Sequence, residues 1–264
     1  MLFADLMNHY CDKVSQYKRG ADKEVLRVMA FVRRDPLAKV PLEQLTPQAV
    51  AEWRDARLQQ VSPGTVLREW NLLSNACNIA MKEWCWIESN PFASVRRPKP
   101  PRPRDAVYSA TDVEKITTAA PEALRDVFRF ALQTAMRAGE ITNLCWKDVG
   151  DKVVAIPVTK NGSKRVVPLS VEARRILADR PRGGDTDPVF AVNSAQLDRQ
   201  FRKAKRAAGM AEYHFHDTRR TALTHLAARV GPMDLAKISG HKDLKILLNT
   251  YYAPDMAAMA DKLG

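Results

Sequence analysis

His216-Asp217-Thr218-Arg219, followed by Ser239-Gly240-His241-Lys242 and then Tyr251-Tyr252, gathers two histidines, a permanently cationic arginine and two phenols into one short stretch. Each handles phosphate in its own way. Arginine presents a rigid fork of donors that matches phosphate oxygens. Histidine exchanges a proton near neutral pH, and a tyrosine oxygen forms a covalent intermediate once a neighbour takes its proton. Their order becomes diagnostic beside two further residues, Arg137 in Thr134-Ala135-Met136-Arg137-Ala138-Gly139-Glu140 and Lys160 in Thr159-Lys160-Asn161-Gly162.

The 264 residues have room for one large or two modest domains, each able to bury a core, and a hydrophobic share of 45% is that of a globular chain. A formal net charge of +12 is the footprint of a polyanionic partner, nucleic acid first. No apolar run is long enough to span a bilayer, and the start Met1-Leu2-Phe3-Ala4-Asp5 meets an acid too early for a signal peptide. A cytoplasmic protein with no membrane partner is expected. Cys11, Cys77, Cys85 and Cys145 form no Cys-x-x-Cys pair, so neither a zinc site nor a disulfide framework is indicated. Cys85, between Trp84 and Trp86, is expected in the core.

Outward from the motifs, residues 1–95 have helical spacing. Leu2, Leu6 and Tyr10 share a face; Val25, Leu26, Met29, Phe31 and Val32 supply a second apolar stripe; Thr46-Pro47-Gln48 opens a third helix with a capping threonine. Ser62-Pro63-Gly64-Thr65 is expected as a turn before a long helix from Val66 to Trp84, stopped by Asn90-Pro91. Residues 96–106 begin with proline or a cation at almost every position, an extended connector and a domain boundary. Its Arg96, Arg97, Lys99, Arg102 and Arg104 are expected to lie as a strap along DNA phosphates. In residues 107–264, Ser109-Ala110-Thr111-Asp112 caps a helix and Leu124 to Leu132 form a buried one. The period then changes: Val153 to Val158 and Arg165 to Leu169 flank Asn161-Gly162, a hairpin signal. Helices resume from Val171, one of them carrying Arg199, Arg202, Lys203, Lys205 and Arg206. The fold class is mainly α with a small β-hairpin in the C-terminal domain.

The Ala-Met-Arg-Ala-Gly-Glu box, the Thr-Lys-Asn-Gly hairpin with its trailing Val-Pro-Leu, the His-Asp-x-Arg box and the Ser-Gly-His-Lys box occur in order and end in a tyrosine. Over nearly the whole chain this resembles the tyrosine recombinases, or phage-type integrases. The resemblance implies a helical core-binding domain, a linker and a mixed α/β catalytic domain. Together they act as a site-specific DNA recombinase that cleaves and rejoins DNA through a 3′-phosphotyrosyl intermediate, with topoisomerase IB-like chemistry.

It further implies that Arg137 and Arg219 grip the non-bridging oxygens of the scissile phosphate and that Lys160 protonates the leaving 5′ oxygen, with Lys164 and Lys152 as nearby alternatives. His216 would accept the tyrosine proton and His241 would hold the phosphate by donation, leaving His214 and His225 structural. The family's usual spacing after the second histidine falls on Thr250 here; counting back from a C-terminal helix over 256–263 selects Tyr251 as nucleophile over Tyr252. Arg220, where the family often has histidine, would add a phosphate contact. No metal and no cofactor are implied. The partners implied are double-stranded DNA, a homotetramer on DNA, and accessory DNA-bending proteins, with the end helix docking on a neighbouring protomer or on its own domain. The chain is also expected to lack the arm-binding domain of larger phage integrases. Two rival readings stand beside this one: a catalytically inactive DNA-binding protein of the same fold, and a metal-dependent nuclease built on His214, His216 and Asp217.

Overall fold

The computed structural model describes residues 1–157 and 164–252 and divides into two compact units, Met1–Pro103 and Arg104–Gly264. Most of the described residues are helical, with one antiparallel strand pair among them. No described helix is long and apolar enough to cross a membrane.

The first unit packs four helices, α1 (Phe3–Lys13), α2 (Ala21–Arg34), α3 (Pro47–Gln60) and α4 (Pro63–Lys82). Phe3, Leu6, Met7 and Tyr10 recur at helical spacing and form the buried face of α1, whereas Leu2 lies outside it and is exposed. On α2 the apolar residues make two stripes, and a helix can turn only one of them inward. Val28 is buried with Val25 and Val32 half-buried beside it, while Leu26 and Met29 are 66% and 61% exposed. Ser62-Pro63-Gly64-Thr65 is no separate turn. Pro63 sits in the first turn of α4, where its missing N–H leaves no intrahelical bond unmade. Thr46 caps α3 by accepting from Ala49 N. Trp53, Trp70 and Phe92 close the core edge to face. Cys85 is exposed, contrary to its expected place in the core: it takes a left-handed φ of 54°, while Trp84 and Trp86 on either side pack against the His9 ring.

The second unit contains α5 (Ala110–Ala119), α6 (Glu122–Thr134), α7 (Ala138–Thr142), β1 (Val153–Ile156), β2 (Arg165–Pro168), α8 (Val171–Ala178), α9 (Ser194–Ala207), α10 (Asp217–Ala227), α11 (Pro232–Ser239) and α12 (Leu244–Tyr251). Ser109 and Asp112 form a capping box on α5. β1 and β2 pair with Ile156 opposite Arg165 and Val154 opposite Val167. Alternation along the strands turns these four residues inward, so a cation shares the inner face with three aliphatic side chains. The Asn161-Gly162 turn, Lys160 and the end helix over 256–263 lie outside the described residues.

The large core of this unit joins Leu124, Phe128 and Phe130 of α6 to the hairpin, to Ile176 of α8 and to Phe201 of α9. A smaller cluster of Ala135, Ala222, Leu223, Leu235 and Leu247 binds α10, α11 and α12 to the end of α6. That second cluster carries the functional side chains.

Candidate active site

Arg219, in the first turn of α10, is 3% exposed and is held by two backbone carbonyls. Its Nη1 donates to Ala135 O at 2.6 Å and its Nη2 to Ser239 O at 2.6 Å. Ala135 caps the C-terminal end of α6 and Ser239 is the last residue of α11, so the guanidinium clamps the electronegative ends of two helices. Ala135 adopts a left-handed φ of 54° there, which ends α6 and turns the chain toward Arg137. Arginine has five N–H donors. With two committed to carbonyls, the fork keeps capacity for an anion.

Glu140 organises two further arginines. Arg165 forks onto its carboxylate, Nη1 to Oε1 at 2.7 Å and Nη2 to Oε2 at 2.6 Å, while Arg165 Nε donates to Ile238 O. Arg137 reaches the same carboxylate through its backbone N–H at 2.8 Å and through Nη1 at 3.0 Å. Burial by itself pushes this carboxyl upward, but the hydrogen bonds from Arg165 and Arg137 outweigh it and hold the group down to about 2. Gly240, left-handed at φ +71°, ends α11 against Arg165; a Cβ there would stand 3.1 Å from Arg165 Cδ. Two arginines thus share one carboxylate, with Arg219 within electrostatic reach of all three groups, leaving an excess of positive charge.

A cleft of about 370 Å³ opens beside them, lined by Arg104, His214, His216, Asp217, Arg219, Arg220, His241 and Tyr251. His216 remains exposed, yet lost solvation and then Arg219 push its imidazole below the usual range. His241 is pushed down to about 4, first by burial and then by Arg219, Arg137 and Arg165. Its Nδ1 lies 2.7 Å from Ser239 Oγ. Both rings are therefore neutral at pH 7 in the DNA-free protein.

The two tyrosines part company. On α12, Leu244, Leu247 and Tyr251 fall at i, i+3 and i+7 on one face, which carries the Tyr251 ring into the cleft with Arg220 5.9 Å from its centroid. Burial pushes the Tyr251 phenol up, against the pull of Arg220 and Arg219. The Tyr252 hydroxyl donates to Val230 O at 2.6 Å.

Residues 107–258 match the phage integrase family. The chain belongs to that family. It is 42% identical over 272 residues to an integrase/recombinase of Haemophilus influenzae, an alignment covering 96% of this chain and 73% of that protein. Among solved structures it is similar to the Tn1549 transposon integrase in complex with transposon right end DNA, with TM-score 0.81 and 18% identity over 99% of this chain and 98% of that one. It is also similar to a lambda integrase tetramer bound to a Holliday junction, with TM-score 0.78 and 21% identity over 92% and 78%.

Of the residues expected at the site, Arg137, His216, Arg219, His241 and Tyr251 lie in one region of α6–α7, α10, α11 and α12, and Lys160 falls outside the described residues. Arg104 departs from the picture of a free strap. It forks onto Asp217 at 2.8 and 3.3 Å and onto Glu212 O at 2.7 Å, and so forms part of the cleft wall. Asp217, otherwise buried, also accepts from His214 N. Among the described residues no group of three or more His, Cys, Asp or Glu is placed to hold a metal ion. Arg96, Lys99 and Arg102 are exposed, and Arg97, also exposed, bonds Asn71. Arg165 and Ser239 were missed by the motif reading. The signal for Arg165 was faint: a cation two positions before Val167 in an apolar strand shares its inward face, but the adjacent valines 166 and 167 hide the alternation.

Proposed function

We propose that the chain is a site-specific DNA recombinase in which Tyr251 is the nucleophile. The observation that carries this reading is the convergence of Tyr251, Arg219, His216 and His241 on one cleft. The Tyr251 oxygen attacks a DNA phosphate, its proton passes to neutral His216, and a 5′ hydroxyl leaves behind a 3′-phosphotyrosyl bond. A 5′ hydroxyl from the partner duplex then attacks that bond and frees the tyrosine. Arg219 and Arg137 meet the charge that grows on the non-bridging oxygens, where fixed cations lower the barrier most. They are placed before DNA arrives, Arg219 by helix-end carbonyls and Arg137 by Glu140. His241 donates to the phosphate, and Lys160 protonates the leaving oxygen. Bond energy is stored covalently, so the exchange uses neither ATP nor a metal.

In this reading residues 1–95 form the core-binding domain, 96–106 the linker and 107–264 the catalytic domain. Arg96, Arg97, Lys99, Arg102 and Arg220 contact backbone phosphates, and Arg104 does so from the cleft wall. The enzyme works on double-stranded DNA in the cytoplasm as a homotetramer. Support for the assembly comes from the similar lambda integrase, whose tetramer is bound to a Holliday junction.

A nicked suicide substrate tests the proposal. Wild type and Tyr252→Phe should form an adduct that survives SDS, and Tyr251→Phe should form none. An adduct from Tyr251→Phe but not from Tyr252→Phe reverses the nucleophile assignment, and none from wild type removes the enzyme reading. The same assay in EDTA separates this chemistry from a metal-dependent nuclease, which would lose activity.

A further inference from the structure

We propose that Ser239 is a positioning residue that fixes the tautomer of His241, so that the imidazole presents Nε2–H to the scissile phosphate. The inference rests on the recombinase reading of the cleft. Ser239, the last residue of α11, has no exposed surface, and two of its groups face the site. Its carbonyl holds Arg219 Nη2 and its hydroxyl oxygen meets His241 Nδ1 at 2.7 Å.

A hydroxyl has one proton to give, and among the described residues its other acceptor is Ala236 O at 3.3 Å. Hydrogen bonds between a hydroxyl and an oxygen centre near 2.7–2.8 Å. The proton therefore goes to Nδ1, which makes Nδ1 an acceptor and leaves the ring proton on Nε2. The opposite arrangement would have Nδ1–H donating to Ser239 and would turn the Nε2 lone pair toward an anionic phosphate. The same ring then repels where it should bind.

Charge cannot substitute for this choice of tautomer. The groups around His241 are Arg219 and His216 at the start of α10, Arg137 before α7, and Arg165 on β2, and all of them disfavour a second proton on the ring. With the imidazole neutral, the position of its single proton decides whether it donates. One residue thereby sets two parts of the site, through its backbone for Arg219 and its hydroxyl for His241.

The direct test is the ¹⁵N spectrum of histidine-labelled wild-type protein, with the His241 signals identified by their loss in His241→Gln. Expected is a protonated Nε2 and an unprotonated, hydrogen-bonded Nδ1; a protonated Nδ1 overturns the proposal. In the suicide-substrate assay Ser239→Ala should slow adduct formation about 10- to 100-fold, by analogy with the loss on removing a partner that orients a metal-bound histidine. Removing a donor to the neutral ring also favours its protonation, and an imidazolium donates from Nε2 whichever tautomer the neutral ring takes, so the Ser239→Ala deficit should shrink as pH falls. Ser239→Thr, which keeps the hydroxyl, should recover the wild-type profile. Equal rates for Ser239→Ala and wild type, or a loss uniform across pH, refute the role. Failure of wild type to form any adduct would sink the recombinase reading instead, and the spectrum would still report the tautomer.

Discussion

Glu140→Gln removes the charge that holds Arg137 and Arg165 together while keeping the side chain's shape. The carboxylate is 9% exposed and accepts four hydrogen bonds from the two arginines. Those bonds lower it from an ordinary 4.5 to about 2. At ~1.36 kcal/mol per pH unit, the contribution to stability at pH 7 is about 3 kcal/mol. An independent comparison agrees, since breaking a buried ion pair by removing one partner costs about 3–5 kcal/mol. For a domain of this size the melting transition should fall by about 6–12 °C. Because the folded value is the lower one, the stabilisation is complete above 4.5 and is lost as pH falls toward 2. Scanning calorimetry of DNA-free wild type and variant at pH 7, repeated downward from pH 5, should show a gap that closes over that window. A shift of less than about 2 °C at pH 7, or a gap independent of pH, would refute the assignment of Glu140 as the anchor of the arginine cluster.

Gly240→Ala forces a Cβ into a left-handed residue and against Arg165 Cδ, so denaturant titration should show a loss of about 1–2 kcal/mol; a neutral result would mean that the α11 cap can relax. Tyr252→Phe loses the bond to Val230 O and should cost about 1 kcal/mol in the same titration while its DNA adduct persists. His241 and His216 have folded values below the ordinary 6.5, so on acidification the unfolded chain takes up protons before the folded one. Stability of the DNA-free protein should therefore decline as pH drops from 6.5 toward 4, and His241→Gln should flatten that slope. An unchanged slope would show that the imidazole is not kept neutral by its surroundings.

Helices and boxes were legible where the signal is local. Thr46-Pro47 and Ser109 to Asp112 announce helix starts because a cap is made within one turn. The strand pair followed from a change of hydrophobic period. What misled was the choice among apolar faces: Leu26 and Met29 are as hydrophobic as Val25 and Val28, and only packing against α1 and its neighbours selects between them. Cys85 misled for the same reason, since flanking tryptophans do not fix the direction of the residue between them. Arg104 read as a loose cation because its partner Asp217 is remote in sequence.

The sequence by itself determined the chemical inventory and its order: Arg137, Lys160, His216, Arg219, His241 and a tyrosine pair, with the helical framework that carries most of them. Tertiary structure decided what those side chains can do. The phase of α12 sends Tyr251 to the cleft and ties Tyr252 to Val230. The ends of α6 and α11 hold Arg219, Glu140 joins Arg137 to Arg165, and Ser239 meets His241. Each of these depends on a contact between segments distant along the chain or on which face of a helix is buried. Motif spacing encodes neither, because both are set by the packing of the whole unit.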